Sequence, residues 1–588
     1  MFKLAKYLKP YRWPLMLTLL LLLGQALAEL SLPTLMADIV NNGVVYSVLN
    51  ETSRTYYIIQ TGGIMLAIAL LAGLASIGSS YIAQRMAAGM ARNLRRDLFV
   101  KVESFSQSEF DAFSSASLIT RCTNDVSQVQ NLVNMSARML VYAPILGIGG
   151  VIMALTRSVS MSWIIALAVI LLVCFVVLIT SIVMPKFRIL QEMVDRLNKV
   201  SREILHGLMV IRAFGTQKHE KKRFDGVNTD LRDMGLFIGR VMAVVGPLIT
   251  FMLAGTQLLV IFMGARHIAH SGLAIGDMMA FMQYAVQVIF AFMMVSMVLV
   301  MVPRAQVSAA RIAEVLEKEL SINDPDEPKA FPDLSPIGGQ VTFNNVRFRY
   351  PGAEEDVLEG ITFTAKPGQT TAIIGPTGSG KSTIASLLLR FYDVVEGSVT
   401  VDGLDIRGVR QKDLRDKIGF VPQKGQLLTG TIESNIKYGN PSATEEEMVK
   451  IAEVAQAFDF IQEREEKFES EITQGGGNVS GGQRQRLSIA RALAKKPEII
   501  VFDDSFSALD FTTDAKLRRA LKEHTANATV IVIAQRIGTI MNAEQIIVLD
   551  EGRIVGIGTH EELLASCPAY HEIASSQDVL TSEVDHAR

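Results

Sequence analysis

Cysteine is scarce, with Cys122, Cys174 and Cys567 the only three in 588 residues. An odd, widely spaced set supplies neither a disulfide framework nor metal-ligand spacing, and it reads as three reduced, mostly buried thiols. Charge is also thin at 20% of residues, and 57 Lys and Arg against 59 Asp and Glu leave a net charge of −2. No global basic field exists to hold nucleic acid, so that partner class is excluded. No cleavable leader is expected either, because the basic start (Lys3, Lys6, Lys9 and Arg12) runs into an apolar stretch too long for a signal h-region. At 49% hydrophobic the chain is too apolar for disorder, and its 44 Gly and 18 Pro follow no collagen repeat.

Long apolar runs are what the sequence does have, all of them before residue 320. Six are long enough to cross the hydrocarbon core as helices, at about 14–45, 57–83, 138–157, 161–185, 238–264 and 277–302. Pro33 and Pro247 are expected to kink their helices, not end them. Lys and Arg crowd the N-terminus and the connections after the second and fourth spans, whereas the first and third connections offer only Arg54 and Arg157. That asymmetry places both termini in the cytoplasm of a multi-pass protein of the cell (inner or plasma) membrane. The two basic connections are about 50 residues each, and apolar spacing such as Val126-Val129-Leu132-Val133 marks them as helical extensions of the spans. Their tips, near Ser117–Asn124 and Arg212–Glu220, are expected to be docking elements.

Polar residues inside apolar spans are candidates for a substrate pathway, because they are costly facing lipid. Gln25 and Glu29 share one helix face, and Gln257, Gln283 and Gln287 recur later. Ten methionines fall between positions 242 and 301, Met294 among them. Their flexible thioethers suit a cavity that accepts several apolar shapes, although packing between helices would use them equally well.

After a linker at 321–340 that contains Asp324-Pro325-Asp326-Glu327-Pro328, the pattern turns to alternating strands and helices. An apolar strand at 371–374 leads into Gly375, Pro376, Thr377, Gly378, Ser379, Gly380, Lys381, Ser382 and Thr383. This is a glycine loop whose amides wrap phosphates at a helix N-terminus, with Lys381 reaching the β/γ-phosphates and Ser382 on Mg²⁺. A second apolar strand, Ile499–Phe502, ends in Asp503, a Mg²⁺ carboxylate of the Walker B type. Between them stands Ser480-Gly481-Gly482-Gln483, which alone is a weak signal.

Taken together and in order, these elements resemble the ATP-binding cassette of ABC transporters, over 341–570. The resemblance implies that Tyr350 stacks on adenine, that Gln423 couples the metal site to the membrane domain, that Ser480–Gln483 is the signature motif, and that Ser507–Asp510 is the D-loop. The membrane half resembles ABC exporters of the helix-swapped, two-half kind, notably in Thr120–Asp125 and Gly272–Asp277. The fold class expected is a multidomain membrane protein, a six-helix transmembrane domain (1–320) followed by an α/β P-loop ATP-binding cassette (341–575) and a tail (576–588). ATP and Mg²⁺ are the implied cofactors.

Departures from the family pattern carry further expectations. Asp504 stands where the family places the Glu that polarises water, and its carboxylate sits one methylene back. Gln535 replaces the switch His and cannot be cationic. Gln474 replaces a Glu six residues before the signature serine. Every ATP-holding element survives, so the Walker side reads as a degenerate site, with benign drift in an active cassette as the alternative. The chain then resembles one subunit of a heterodimeric bacterial multidrug exporter. It would move amphipathic or drug-like compounds outward beside a second half-transporter, among membrane lipids, and its signature motif would complete the partner's hydrolytic site. A lipid or lipid-linked-precursor flippase and a homodimeric ATP-gated sensor are the alternatives.

Overall fold

A computed structural model describes residues 2–45, 51–271, 273–332, 334 and 338–577, so Gly272 and the tail from 578 onward lie outside the described residues. The chain divides into two compact units, Met1–Glu103 with Ser115–Lys318, and Ser104–Ser114 with Glu319–Arg588.

The first unit is helical. It contains α1 (Arg12–Asp38) and α2 (Glu51–Glu103), after which α3 (Gln107–Phe113) lies in the other unit and α4 (Ser115–Thr120) returns. There follow α5 (Val126–Arg157), α6 (Ser162–His206), α7 (Leu208–Ala213), α8 (Gln217–Ser271) and α9 (Ile275–Glu317). Six of its helical stretches are long and apolar enough to cross a membrane, where an unbroken helix satisfies its own backbone. Pro33 and Pro247 lie inside α1 and α8, which run through them. At 1.5 Å per residue, the 53 residues of α2 and the 55 of α8 extend well beyond a hydrocarbon core of about 30 Å. The long connections are therefore continuations of spanning helices.

The first expected docking tip and the segment before it fall in different units. Ser117–Asn124 belongs to the membrane unit, where Arg121 donates to Glu314 Oε2 at 2.7 Å and to the Arg311 carbonyl at 2.8 Å. Asp125 Oδ1 then accepts from Ser308 Oγ at 2.8 Å and from Arg311 at 2.6 Å. It is the preceding segment, with α3, that joins the second unit, through Tyr392 Oη to Asp111 Oδ2 at 3.0 Å and the Ser321 amide to Glu109 Oε1 at 3.0 Å. Arg121 and Asp125 thus pair with α9 inside the first unit, while α3, with its own capping box, belongs to the second.

Within the membrane unit α1, α5 and α9 enclose a core around Phe281, Tyr284, Leu146 and Leu30. Gly276 fits there because a Cβ would meet the Ala37 carbonyl at 2.3 Å, and Asp277 pairs with Arg157 at 2.7 Å. By contrast α8 buries only Ile238, Val260 and Gly264 among its described residues, and packs chiefly on α6. Of the cysteines only Cys567 is buried, while Cys122 is half-buried and Cys174 exposed.

The second unit is built on strands β1 (Val341–Phe348), β2 (Leu358–Ala365), β3 (Thr370–Ile374), β4 (Glu396–Val401), β5 (Leu404–Asp405) and β6 (Ile418–Val421). Short β7 (Gly430–Thr431) and β8 (Glu471–Ile472) pair with each other. The last four are β9 (Ile499–Asp503), β10 (Thr529–Ile533), β11 (Gln545–Asp550) and β12 (Arg553–Gly558). An antiparallel sheet has the order β2-β1-β4-β5, and a larger one runs β12-β11-β3-β10-β9-β6. In the larger sheet β11, β3, β10, β9 and β6 are parallel, with Ile533 level with both Ile373 and Asp503. Strands such as Thr370–Ile374 and Ile499–Asp503 are almost wholly buried, as parallel strands covered on both faces must be.

Candidate functional site

Parallel alignment decides what meets what. Four neighbouring strands end on the same edge, so the residues following β3, β6, β9 and β10 emerge together, the usual place for a ligand in such a sheet. Those residues are the glycine loop, Gln423, Asp503 with Asp504, and Gln535.

The loop is sterically specified. A Cβ on Gly375 would stand 2.0 Å from the Leu549 carbonyl, and Gly380, at φ +93°, would press on Leu358. Gly378, at φ +90°, has open space where a Cβ would be, leaving a bare backbone cradle. Lys381 Nζ curls over that cradle, donating to the Gly375 carbonyl at 2.9 Å and the Pro376 carbonyl at 2.6 Å, with Ser379 Oγ at 3.4 Å. Burial pushes the ammonium below its ordinary pKa, against the opposing pull of Asp504 and Asp503. Ser382, in the first turn of the helix Lys381–Leu388, donates to Asp503 Oδ1 at 2.8 Å. Burial raises the Asp503 carboxyl, the Ser382 hydroxyl opposes this, and nearby Asp504 adds to the rise. Two hard oxygens side by side, one of them a desolvated carboxylate, are the donor set Mg²⁺ prefers, and the open cradle with its ammonium fits a triphosphate.

Asp504 turns away from the strand at φ +46°, its amide held by the Ile533 carbonyl at 2.8 Å. Its Oδ2 accepts from Gln423 Nε2 at 3.0 Å and from Gln535 Nε2 at 2.9 Å. Two of the three positions that depart from the family pattern, Asp504 and Gln535, are thus bonded to one another, and Asp504 to Gln423 as well. Tyr350 shares a hydrogen bond with Thr383 Oγ1 at 3.0 Å and meets Tyr392 edge-on at 5.1 Å.

Ser480, Gly481, Gly482 and Gln483 stand apart from this cluster, and their bonds are local. Ser480 caps the helix Gly481–Ala494, with Gln483 N donating to Ser480 Oγ at 3.2 Å and Ser480 N to Gln483 Oε1 at 3.0 Å. Gly481 has open space beside it. Asp510 likewise caps Phe511–His524, accepting from Thr513 N at 2.9 Å.

Two residues unread in the sequence tie these parts together. Buried Gln485 accepts from Gly425 N at 2.9 Å and donates to the Pro422 carbonyl at 3.0 Å, pinning the Gln423 loop to the signature helix. Gln577 donates to the Gln535 carbonyl and accepts from Ile537 N, both at 2.8 Å. Gln485 sits two residues past the signature, which is its only sequence signal.

In the membrane unit Gln25 Nε2 donates to Glu29 Oε1 at 3.0 Å and Tyr142 Oη to Glu29 Oε2. Gln287 Nε2 reaches the Glu29 carbonyl at 3.4 Å, and Gln283 Nε2 lies 3.3 Å from Met36 Sδ. A cavity of about 130 Å³ is lined by Gln25 and Met294 but not by Glu29, Gln283 or Gln287. Met263, Met278, Met282 and Met294 pack on the helical core.

Residues 15–292 match the family model for the ABC transporter transmembrane region, and residues 358–507 the model for the ABC transporter. The chain is similar to an uncharacterized ABC transporter ATP-binding protein of Mycobacterium tuberculosis, 41% identical over 579 residues and 98% of each chain. It is 30% identical to the ATP-dependent lipid A-core flippase of Haemophilus ducreyi, over 98% of this chain and 97% of the other. Its fold resembles that of a bacterial Atm1-family ABC exporter with ATP bound, at TM-score 0.76 and 24% identity, covering 97% and 98% of the two chains.

Proposed function

We propose that this chain, which belongs to the ABC transporter family, is the degenerate-site half of a heterodimeric, ATP-driven exporter of amphipathic compounds. The observation that carries the reading is the Asp504 carboxylate, whose Oδ2 is held by both Gln423 and Gln535. A water-polarising base needs a free oxygen within about 2.6–3.2 Å of the proton it takes. Here the shorter side chain draws back, and one of its two oxygens is engaged by two amides.

Gly375–Thr383 holds the phosphates, with Lys381 neutralising them. Ser382 and Asp503 hold Mg²⁺, and Tyr350 takes the base. Mg²⁺-ATP supplies the anhydride whose cleavage drives the cycle. Ser480–Gln483, with Gly481 open and the helix N-terminus behind it, completes the partner's site, where hydrolysis chiefly occurs. The excess of Lys and Arg in alternate connections supports cytoplasmic termini and a cell-membrane location. Similarity along the full length to a lipid A-core flippase favours lipid-like amphiphiles among the cargo.

The test is to purify the tagged chain from its native membranes and identify what comes with it. The expected result is a stoichiometric second half-transporter with Glu and His at the positions of Asp504 and Gln535, and little ATP turnover by the chain alone. A homodimer with full turnover would overturn the degenerate assignment. A homodimer that binds ATP and hardly turns it over would favour the sensor instead.

A further inference from the structure

The small cavity in the membrane unit is bordered by an exposed cation, Arg138. Asn134, Arg138 and Tyr142 line it from successive turns of α5, facing Leu22 and Gln25 of α1 and Met294 of α9. Glu29 contributes the nearby negative charge, but Gln25 and Tyr142 already donate to its two carboxylate oxygens. Arg138 has no such arrangement, and among the described residues no ion pair or hydrogen bond engages its guanidinium. One turn away the Asn134 Oδ1 atom is buried and also lacks a partner. A buried acceptor left unpaired is unfavourable unless something supplies a donor. An arginine at the border of an apolar span carries its guanidinium to the interface, where an acidic headgroup would meet it.

We propose that Arg138 and Asn134 form a headgroup site for an anionic amphiphile that carries a hydroxyl or N–H donor beside its acid group. The guanidinium takes the acid through charge-assisted hydrogen bonds, Asn134 accepts from the adjacent donor, and Leu22 and Met294 receive the start of the apolar tail. A volume of about 130 Å³ suits a small headgroup and leaves the tail to run outside the cavity. Arg138 lies at the N-terminal edge of its span, so the acid stays at the membrane border while the tail remains in the apolar region. This rests on the exporter reading and names the chemistry of its cargo.

The test uses the assembled full-length protein in nanodiscs of zwitterionic lipid, titrated calorimetrically against an empty-nanodisc baseline. The probes are N-dodecanoylglycine, its methyl ester without the charge, and N-dodecanoyl-N-methylglycine without the N–H donor. The acid is expected to bind roughly ten-fold more tightly than the ester. Arg138→Gln should erase that ratio and Arg138→Lys retain most of it. Asn134→Leu should erase only the preference for the N–H probe over its N-methyl analogue. If the probes bind but the acid-to-ester ratio survives Arg138→Gln, the headgroup site is wrong and export of amphiphiles stands. If none of the three binds or changes ATP turnover, export of amphiphiles falls, and the headgroup site with it.

Discussion

Two regions of the second unit differ in how their side chains are engaged. On the Walker side, polar groups are bonded to one another. Lys381 rests on its own loop, Ser382 on Asp503, and Asp504 holds Gln423 and Gln535. On the signature side, Ser480 and Gln483 satisfy only their own helix turn, and Gly481 looks onto open space. One region is a bonded network around a short carboxylate, and the other, on the proposed reading, would complete a site on a second chain. The difference teaches that substitutions on the two sides should have unequal effects on the assembled transporter.

The largest effect is expected from Ser480→Arg. A long cation would fill the space beside Gly481 and the helix N-terminus. ATP turnover of the co-purified pair should fall by about a hundred-fold or more, measured as phosphate release. A loss no larger than that from Asp504→Ala would erase the contrast. Next comes Lys381→Ala, which removes the ammonium from the cradle. Nucleotide affinity at this chain's own site should weaken by about ten-fold, read by photo-labelling, with a smaller loss of turnover than Ser480→Arg.

Much of this contrast is legible in the sequence itself. Gly375, Gly380, Lys381 and Asp503 are recognisable because steric and charge requirements leave few residue types at each position. The six spans are legible because lipid demands unbroken apolar length. Other features depend on pairing across distance in the chain. The bond from Gln535 to Asp504 needs β10 beside β9, which only the sheet order supplies. The pairing of Arg121 and Asp125 with α9 joins residues 193 and 186 positions apart, which no local pattern reveals. The polar stripe Asn134, Arg138 and Tyr142 does have helical spacing, yet it straddles the start of an apolar run and so blends into an ordinary span edge.

A smaller effect, in the opposite direction, would sharpen the comparison. Restoring both family residues together, Asp504→Glu with Gln535→His, lengthens the base and replaces an amide with a ring that can carry charge. If the network alone silences the site, turnover of the pair should rise by about two-fold, one active site becoming two. Either change alone should do less, because Asp504 and Gln535 are hydrogen-bonded partners and their effects do not add.

The smallest effect is expected from Asp504→Ala. Removing the carboxylate frees the Gln423 and Gln535 amides but leaves the cradle, Ser382 and Asp503 in place. Nucleotide affinity at this site should hold, and turnover of the pair should stay within about two-fold of the parent. The matching substitution of the partner's Glu should stop it almost completely. Because Asp504 lies in the same unit and on the same strand edge as Asp503, a structural disturbance would spread to Mg²⁺-dependent ATP binding. Unchanged binding with unchanged turnover therefore separates a carboxylate that does no chemistry from one that merely tolerates replacement. Loss of turnover with binding intact would instead make Asp504 a working base and the two regions equal contributors.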